Sequence, residues 1–114
     1  MGHWHNVRAD LRDPARDLRE RIPEVYKAFA DLSSASLEDG VISASMKEIL
    51  ALVLAVAAEC DGCIAAHARS AVKRGASPDQ VAEALGVAIM MGGGPAIVFA
   101  PRAWEAYQEF LGQE

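Results

Sequence analysis

Apolar residues return at helical spacing in successive segments of the chain, separated by proline, glycine and small polar clusters. Leu18, Ile22, Val25, Tyr26 and Phe29 mark the first region, and Asp13-Pro14 supplies a start signal for it, with Asp13 as N-cap and Pro14 at the first helical position. Pro23 falls inside this pattern and predicts a division into two helices. Glu38-Asp39-Gly40 then breaks the chain, and Ser43 or Ser45 offers the next N-cap. From Ile49 through Ala58 no polar face exists, so this helix is expected to be buried on every side, at the centre of the fold or against another subunit. A further helix is expected from Asp61 toward Arg74, with Lys73 and Arg74 complementing its C-terminal dipole and Gly75 just beyond. Ser77-Pro78-Asp79-Gln80 reads as a capping box that opens a helix with Val81, Leu85, Ala88 and Ile89 on its buried stripe. Gly92-Gly93-Gly94-Pro95 ends that helix. The run lacks the lysine and the preceding strand of a phosphate loop, and reads as a turn. A last helix over Ala96 to Leu111 carries Val98, Phe99, Trp104, Tyr107 and Phe110, which with Met90 and Met91 are expected in a core or interface. The pattern predicts an all-α, single-domain bundle of about five to six helices over residues 1–114, with residues 1–13 a loosely ordered polar segment.

Composition supports this and narrows the partners. The 114 residues fit one domain whose core is modest unless copies cover each other, and 52% hydrophobic residues with only 6% aromatic suit small-residue helix packing. Net charge is 11 − 16 = −5, and the basic residues form no stripe, which argues against a nucleic-acid partner. Arg12, Arg16, Arg19, Glu20 and Arg21 read as a solvated face. The longest apolar run, Ile49 to Ala58, falls short of the roughly 18 residues that span a bilayer, so no membrane association is expected. No leader pattern opens the chain, and a cytoplasmic, reducing location is the expectation. His3, Trp4 and His5 are candidate ligands only in principle, and read as part of the loose end.

The strongest chemical signal lies between Glu48 and His67. Cys60 and Cys63, the only cysteines, form a C-x-x-C, which in a reducing compartment points to redox or metal chemistry in preference to a structural staple. With Asp61 opening a helix, Cys60 falls near the N-cap and Cys63 one turn in, where free N–H groups and the helix dipole favour a thiolate. His67 follows Cys63 by four residues, on the same helical face. Glu48 has two readings. Ser45 and Glu48 fit a capping box, or the carboxylate is directed into the redox site. Cys60, Cys63 and His67 with Glu48 also allow a zinc site, although no second cysteine–histidine cluster exists to complete one, so no metal is expected; small buried cysteines in a non-enzymatic oligomeric module are the third reading.

Glu48, Cys60-x-x-Cys63, His67 and the Gly75-Ala76-Ser77 that follows together resemble the carboxymuconolactone decarboxylase superfamily, in its AhpD-like alkylhydroperoxidase branch, from about Ile42 to the C-terminus. The resemblance implies an all-helical trimer or hexamer in which Cys60 and Cys63 form a redox-active disulfide, needing no other cofactor. It also implies that His67 and Glu48 relay protons, and that peroxide is reduced at the expense of a protein or lipoyl-type thiol. It places the peroxidatic sulfur on Cys63, whereas helix-terminus physics favours Cys60; the assignment adopted is Cys63 as peroxidatic and Cys60 as the more accessible cysteine that meets the reductant. Gly62 stands where the longer hydroperoxidases have a histidine.

Overall fold

The computed structural model describes residues 2–112, as six helices: α1 His3–Arg21, α2 Pro23–Leu37, α3 Ala44–Ala57, α4 Asp61–Lys73, α5 Pro78–Gly92 and α6 Gly94–Leu111. The all-α expectation holds. Among the described residues there is no strand. No helix is long and apolar enough to cross a membrane.

α4 is the helix against which α1, α3 and α6 pack. Its inner face is Ile64, Ala65, Ala68 and Ala71, each without solvent exposure. Alanines at spacings of three and four leave a shallow surface, so neighbouring backbones approach closely. α6 answers with Ala96, Ala100, Ala103 and Ala106, and adds Tyr107, whose hydroxyl donates to the Ala76 carbonyl at 2.5 Å beyond the end of α4. Burial raises the Tyr107 phenol above its ordinary range and keeps it a donor. Ser77 and Gln80 close the expected capping box at the start of α5.

Three expectations need correction. Most of the segment expected as a loose end is helical, with Met1 outside the described residues: α1 begins at His3 and runs through Pro14 without a break at Asp13. Its anchor is Trp4, which is wholly buried. Gly2 has no side chain to cap the helix, and Glu109 of α6 takes that role by accepting from the backbone N–H groups of Trp4 and His5 at 3.1 and 2.7 Å. Glu105 accepts from the indole Nε1 at 2.8 Å. These partners lie more than 100 residues away in sequence, which is why local polarity misled. Asp13, expected as an N-cap, instead pairs with Arg16 on the surface.

The second concerns the stripe of the first region. Pro23 does divide it, at Ile22, but Leu18, Val25 and Phe29 are 49%, 61% and 68% exposed, and α2 has no buried residue. The third concerns α3. Its N-cap is Ser43, which accepts from the Met46 N–H at 3.1 Å; Ser45 does not cap. Ile49, Leu52, Ala55 and Val56 are buried, yet Leu50 and Leu54 on the opposite face are 46% and 68% exposed. The all-round apolarity of α3 is thus satisfied on one side only within a single chain.

Two outcomes are expected. Trp4→Ala should destabilise the fold by about 3–5 kcal/mol, measured by denaturant unfolding, because it empties a fully buried site. The second concerns acid. Burial pushes the Glu109 carboxyl up, but hydrogen bonds from the His5 side chain and from the His5 and Trp4 backbone outweigh it and hold it below its ordinary 4.5. A depressed folded value gives stability that is present above 4.5 and lost as pH falls through the lower folded value. Glu109→Gln should therefore lower the Tm at neutral pH, and the difference from wild type should shrink as both are melted at pH values descending below 4.5.

Candidate redox site

The site is built at the junction of α3 and α4. α3 ends in a double hydrogen-bonded turn in which the Glu59 N–H donates to the Val56 carbonyl and the Cys60 N–H to that of Ala55, both at 3.1 Å. The matching turn at the end of α4 uses Gly75 at φ 84°, whereas here Glu59 occupies the left-handed region at φ 54°. That reversal swings the chain so that Cys60 becomes the N-cap of α4, as its position in sequence predicts. The Cys63 N–H donates to Cys60 Sγ at 3.2 Å.

Cys60 and Cys63 are joined as a disulfide, with Cα atoms 5.2 Å apart. The first turn of α4 makes this short link possible, since residues three apart on a helix are neighbours. Cys63 is exposed and Cys60 only half-buried, so the expectation that Cys60 is the more accessible sulfur is reversed in this chain. The reason is the cap itself: Cys60 sits in the crook between two helices, while Cys63 lies on the outer side of α4.

Glu48 resolves in favour of the site. It is 4% exposed, and its Oε1 lies 2.8 Å from His67 Nδ1, joining α3 to α4 across 19 residues. Ser45 makes no box with it because the cap lies two residues earlier, at Ser43. With the carboxylate as acceptor, Nδ1 carries the hydrogen and Nε2 is the nitrogen left to take or give a proton. Cys60, Cys63, His67 and Glu48 thus lie on one short length of two adjoining helices. Among the described residues no group of three or more potential ligands is placed to hold a metal ion.

Sequence reasoning missed Arg102. From α6 it donates to both carboxylate oxygens of Asp61, Nε at 3.1 Å and a terminal nitrogen at 2.5 Å, and its guanidinium lies over the rings of Trp4 and Phe99 at 5.3 and 5.5 Å. The hydrogen bonds to Asp61 raise the guanidinium above its ordinary value. Asp61 adjoins Cys60, so this pair pins the first residue of α4 and offsets a negative charge that would oppose a thiolate beside it. No local spacing signals a partner 41 residues away.

Glu48→Ala should cost about 1–3 kcal/mol in denaturant unfolding, because it strips His67 of a buried partner. Glu59→Gly should raise stability by up to about 1 kcal/mol by relieving a left-handed conformation that a side chain disfavours; no gain in Tm would show that Glu59 is compensated by contacts of its own.

The geometry has counterparts among known proteins. The profile of the carboxymuconolactone decarboxylase family matches residues 23–106. An uncharacterized protein of Haemophilus influenzae is 38% identical over 104 residues, which span 91% of this chain and 92% of that one. A family member from Legionella pneumophila has a similar structure, with a TM-score of 0.91, 36% identity, and coverage of 95% of this chain and 96% of that one. A member from Thermotoga maritima, for which a part in the antioxidative response has been suggested, superposes with a TM-score of 0.76 at 30% identity, over 91% and 92% of the two chains. The chain therefore belongs to the carboxymuconolactone decarboxylase family.

Proposed function

We propose that the protein is an AhpD-like thiol–disulfide oxidoreductase that reduces peroxides. The observation that carries this reading is the buried Glu48 bonded to His67 one helical turn beyond Cys63, a proton-handling pair set beside a cysteine couple already able to close. A cysteine that is merely small and buried needs neither a disulfide partner nor an oriented imidazole.

In the reduced protein the Cys63 thiolate attacks a peroxide oxygen. The O–O bond breaks, the alcohol leaves with a proton supplied through His67, and Cys63 becomes a sulfenic acid. The Cys60 thiolate then attacks Cys63 Sγ, the S–S bond forms, and hydroxide leaves as water after taking a proton. Two electrons pass from the dithiol to the peroxide, giving one alcohol and one water. Glu48 holds the ring and balances its charge when it is protonated.

Reduction reverses the disulfide. The exposed Cys63 sulfur is the one an external thiolate reaches, and Cys60 is the better leaving group, because the Cys63 N–H and the α4 dipole stabilise negative charge on it. Both half-reactions thus converge on Cys63, with a dithiol of protein or lipoyl type as reductant. The working form is a homo-oligomer, trimer or hexamer, supported by the uncovered apolar faces of α2 (Val25, Phe29, Leu32) and α3 (Leu50, Leu54).

The test is a panel of peroxides assayed with a dithiol reductant, followed by mass determination of the Cys60–Cys63 disulfide. Cys63→Ser should abolish peroxide turnover, Cys60→Ser should leave a single oxidation that stops at sulfenic acid, and His67→Ala should slow turnover by about 10²-fold or more. Turnover that survives Cys63→Ser but not Cys60→Ser would exchange the two roles. Sizing by light scattering should show trimers or hexamers, and Phe29→Asp should shift them toward smaller species.

A further inference from the structure

α1 and α4 lie side by side, and their seam carries charge that nothing else in the chain accounts for. Arg8, Leu11, Arg12 and Ala15 recur at i, i+3, i+4 and i+7, so they share one face of α1. With Gly62 and Ala66 of α4 they line an open groove of about 300 Å³. Arg69, at the next helical step after Gly62 and Ala66, lies close enough to oppose the charge on Arg8. Gly62 is the residue between Asp61 and Cys63, so this groove begins inside the redox motif.

Arg8 and Arg12 line the groove and Arg69 acts on Arg8 from α4, in a protein of net charge −5, and among the described residues none of the three makes an ion pair with an acid. Asp61, the acid nearest Gly62 in sequence, is already held by Arg102. Arg16, their neighbour on α1, does have a partner in Asp13. Burial first, then the charges of Arg69 and Arg12, lowers the Arg8 guanidinium from its ordinary value. Uncompensated like charge is costly in the free protein and is relieved when an anion enters. Arg12 is exposed, as the solvated face read from sequence has it, and it also lines this groove.

The floor has room for such a group. Gly62 and Ala66 keep it shallow, and a Cβ at Gly62 would come within 3.3 Å of Leu11 Cδ1. Leu11 of α1 thus packs closely over the bare backbone of Gly62.

We infer that the α1–α4 seam is an anion subsite, in which Arg8, Arg12 and Arg69 hold the carboxylate or phosphate of a low-molecular-weight thiol while its sulfur attacks Cys63. This rests on the thiol–disulfide reading above and adds an anionic monothiol to the dithiols named there as reductant. The first thiolate attacks Cys63 Sγ, the Cys60–Cys63 bond breaks, and Cys60 leaves as a thiolate. A second thiolate attacks the substrate sulfur of the mixed disulfide and frees Cys63. Two thiols are oxidised to one disulfide, the protein disulfide is reduced to a dithiol, and the two protons of the incoming thiols pass to Cys60 and Cys63.

The test follows reduction of the oxidised full-length protein by stopped flow with four thiols: mercaptopropionate (carboxylate), phosphopantetheine (phosphate), mercaptoethanol (neutral) and cysteamine (cationic). Each rate is divided by the rate of the same thiol on a neutral model disulfide. The normalised rate of at least one anionic thiol should exceed that of mercaptoethanol roughly tenfold, cysteamine should fall below it, and high salt should compress the series. The anionic thiol that is favoured identifies carboxylate or phosphate as the group bound. In the Arg8→Gln/Arg12→Gln variant the ratio of anionic to neutral rates should approach one, and Arg12→Glu should favour cysteamine. Unfolding would leave no preference among the thiols, so the inversion toward cysteamine in Arg12→Glu separates loss of the subsite from loss of folding. Equal normalised rates for all four thiols, or a preference that survives the double variant, would overturn the subsite and leave the redox reading standing. Failure of all four monothiols while dithiothreitol reduces the disulfide would overturn the subsite alone, and failure of dithiothreitol as well would remove the redox reading too.

Discussion

Close approach of helices at the alanine face of α4 is the constraint on which the rest of the structure depends. Ala65, Ala68 and Ala71 carry so little bulk that α3 and α6 can both pack against one helix, and each contributes a side chain to the redox motif at its N-terminus. α3 brings Glu48 to His67, and α6 brings Arg102 to Asp61. Larger residues on that face would hold the neighbours outward, and both polar contacts would lengthen beyond hydrogen-bonding range. The packing and the chemistry are therefore one arrangement, with the buried carboxylate as its most demanding element.

α1 belongs to the same arrangement from the other side. Trp4 inserts at the far end and is held by Glu105, Glu109 and the face of Arg102, so the guanidinium that pins Asp61 also helps to seat the N-terminal helix. From that anchor α1 runs back along α4 to Gly62, and its Leu11 rests against the motif. An N-terminal segment that by composition resembles a solvated tail thus forms one wall of the groove beside the cysteines. α2 then departs from the body of the fold with Val25, Phe29 and Leu32 uncovered.

The two cysteines have unlike surroundings for a reason that lies in the turn before them. Glu59 takes a left-handed conformation, which closes α3 and places Cys60 at the cap of α4 rather than in a continuous helix. As cap residue its sulfur receives a backbone N–H; Cys63, one turn on, faces outward. In the proposed mechanism the nucleophilic and leaving-group roles thereby fall to different sulfurs three residues apart. This division does not follow from the C-x-x-C spacing, which is symmetric with respect to the two roles.

Local chemistry in the sequence determined the helices and much of the motif. Pro23, Ser43, Ser77-Pro78, Gly75 and the glycine run set helix ends through backbone dihedrals and capping groups that act within a few residues, and the i, i+4 spacing placed His67 on the helix of Cys63. Contacts between residues far apart were decided only by the tertiary structure. Trp4 was hidden by its polar neighbours, Arg102 by the 41 residues that separate it from Asp61, and the exposure of Phe29 and Leu54 by an apolar pattern that looks alike whether it faces a core or a partner. Glu48 shows the boundary most clearly. Its own turn offered a cap at Ser45 and the sequence could not choose; burial chose, because a carboxylate enclosed between α3 and α4 requires a hydrogen-bond donor, and His67 supplies it.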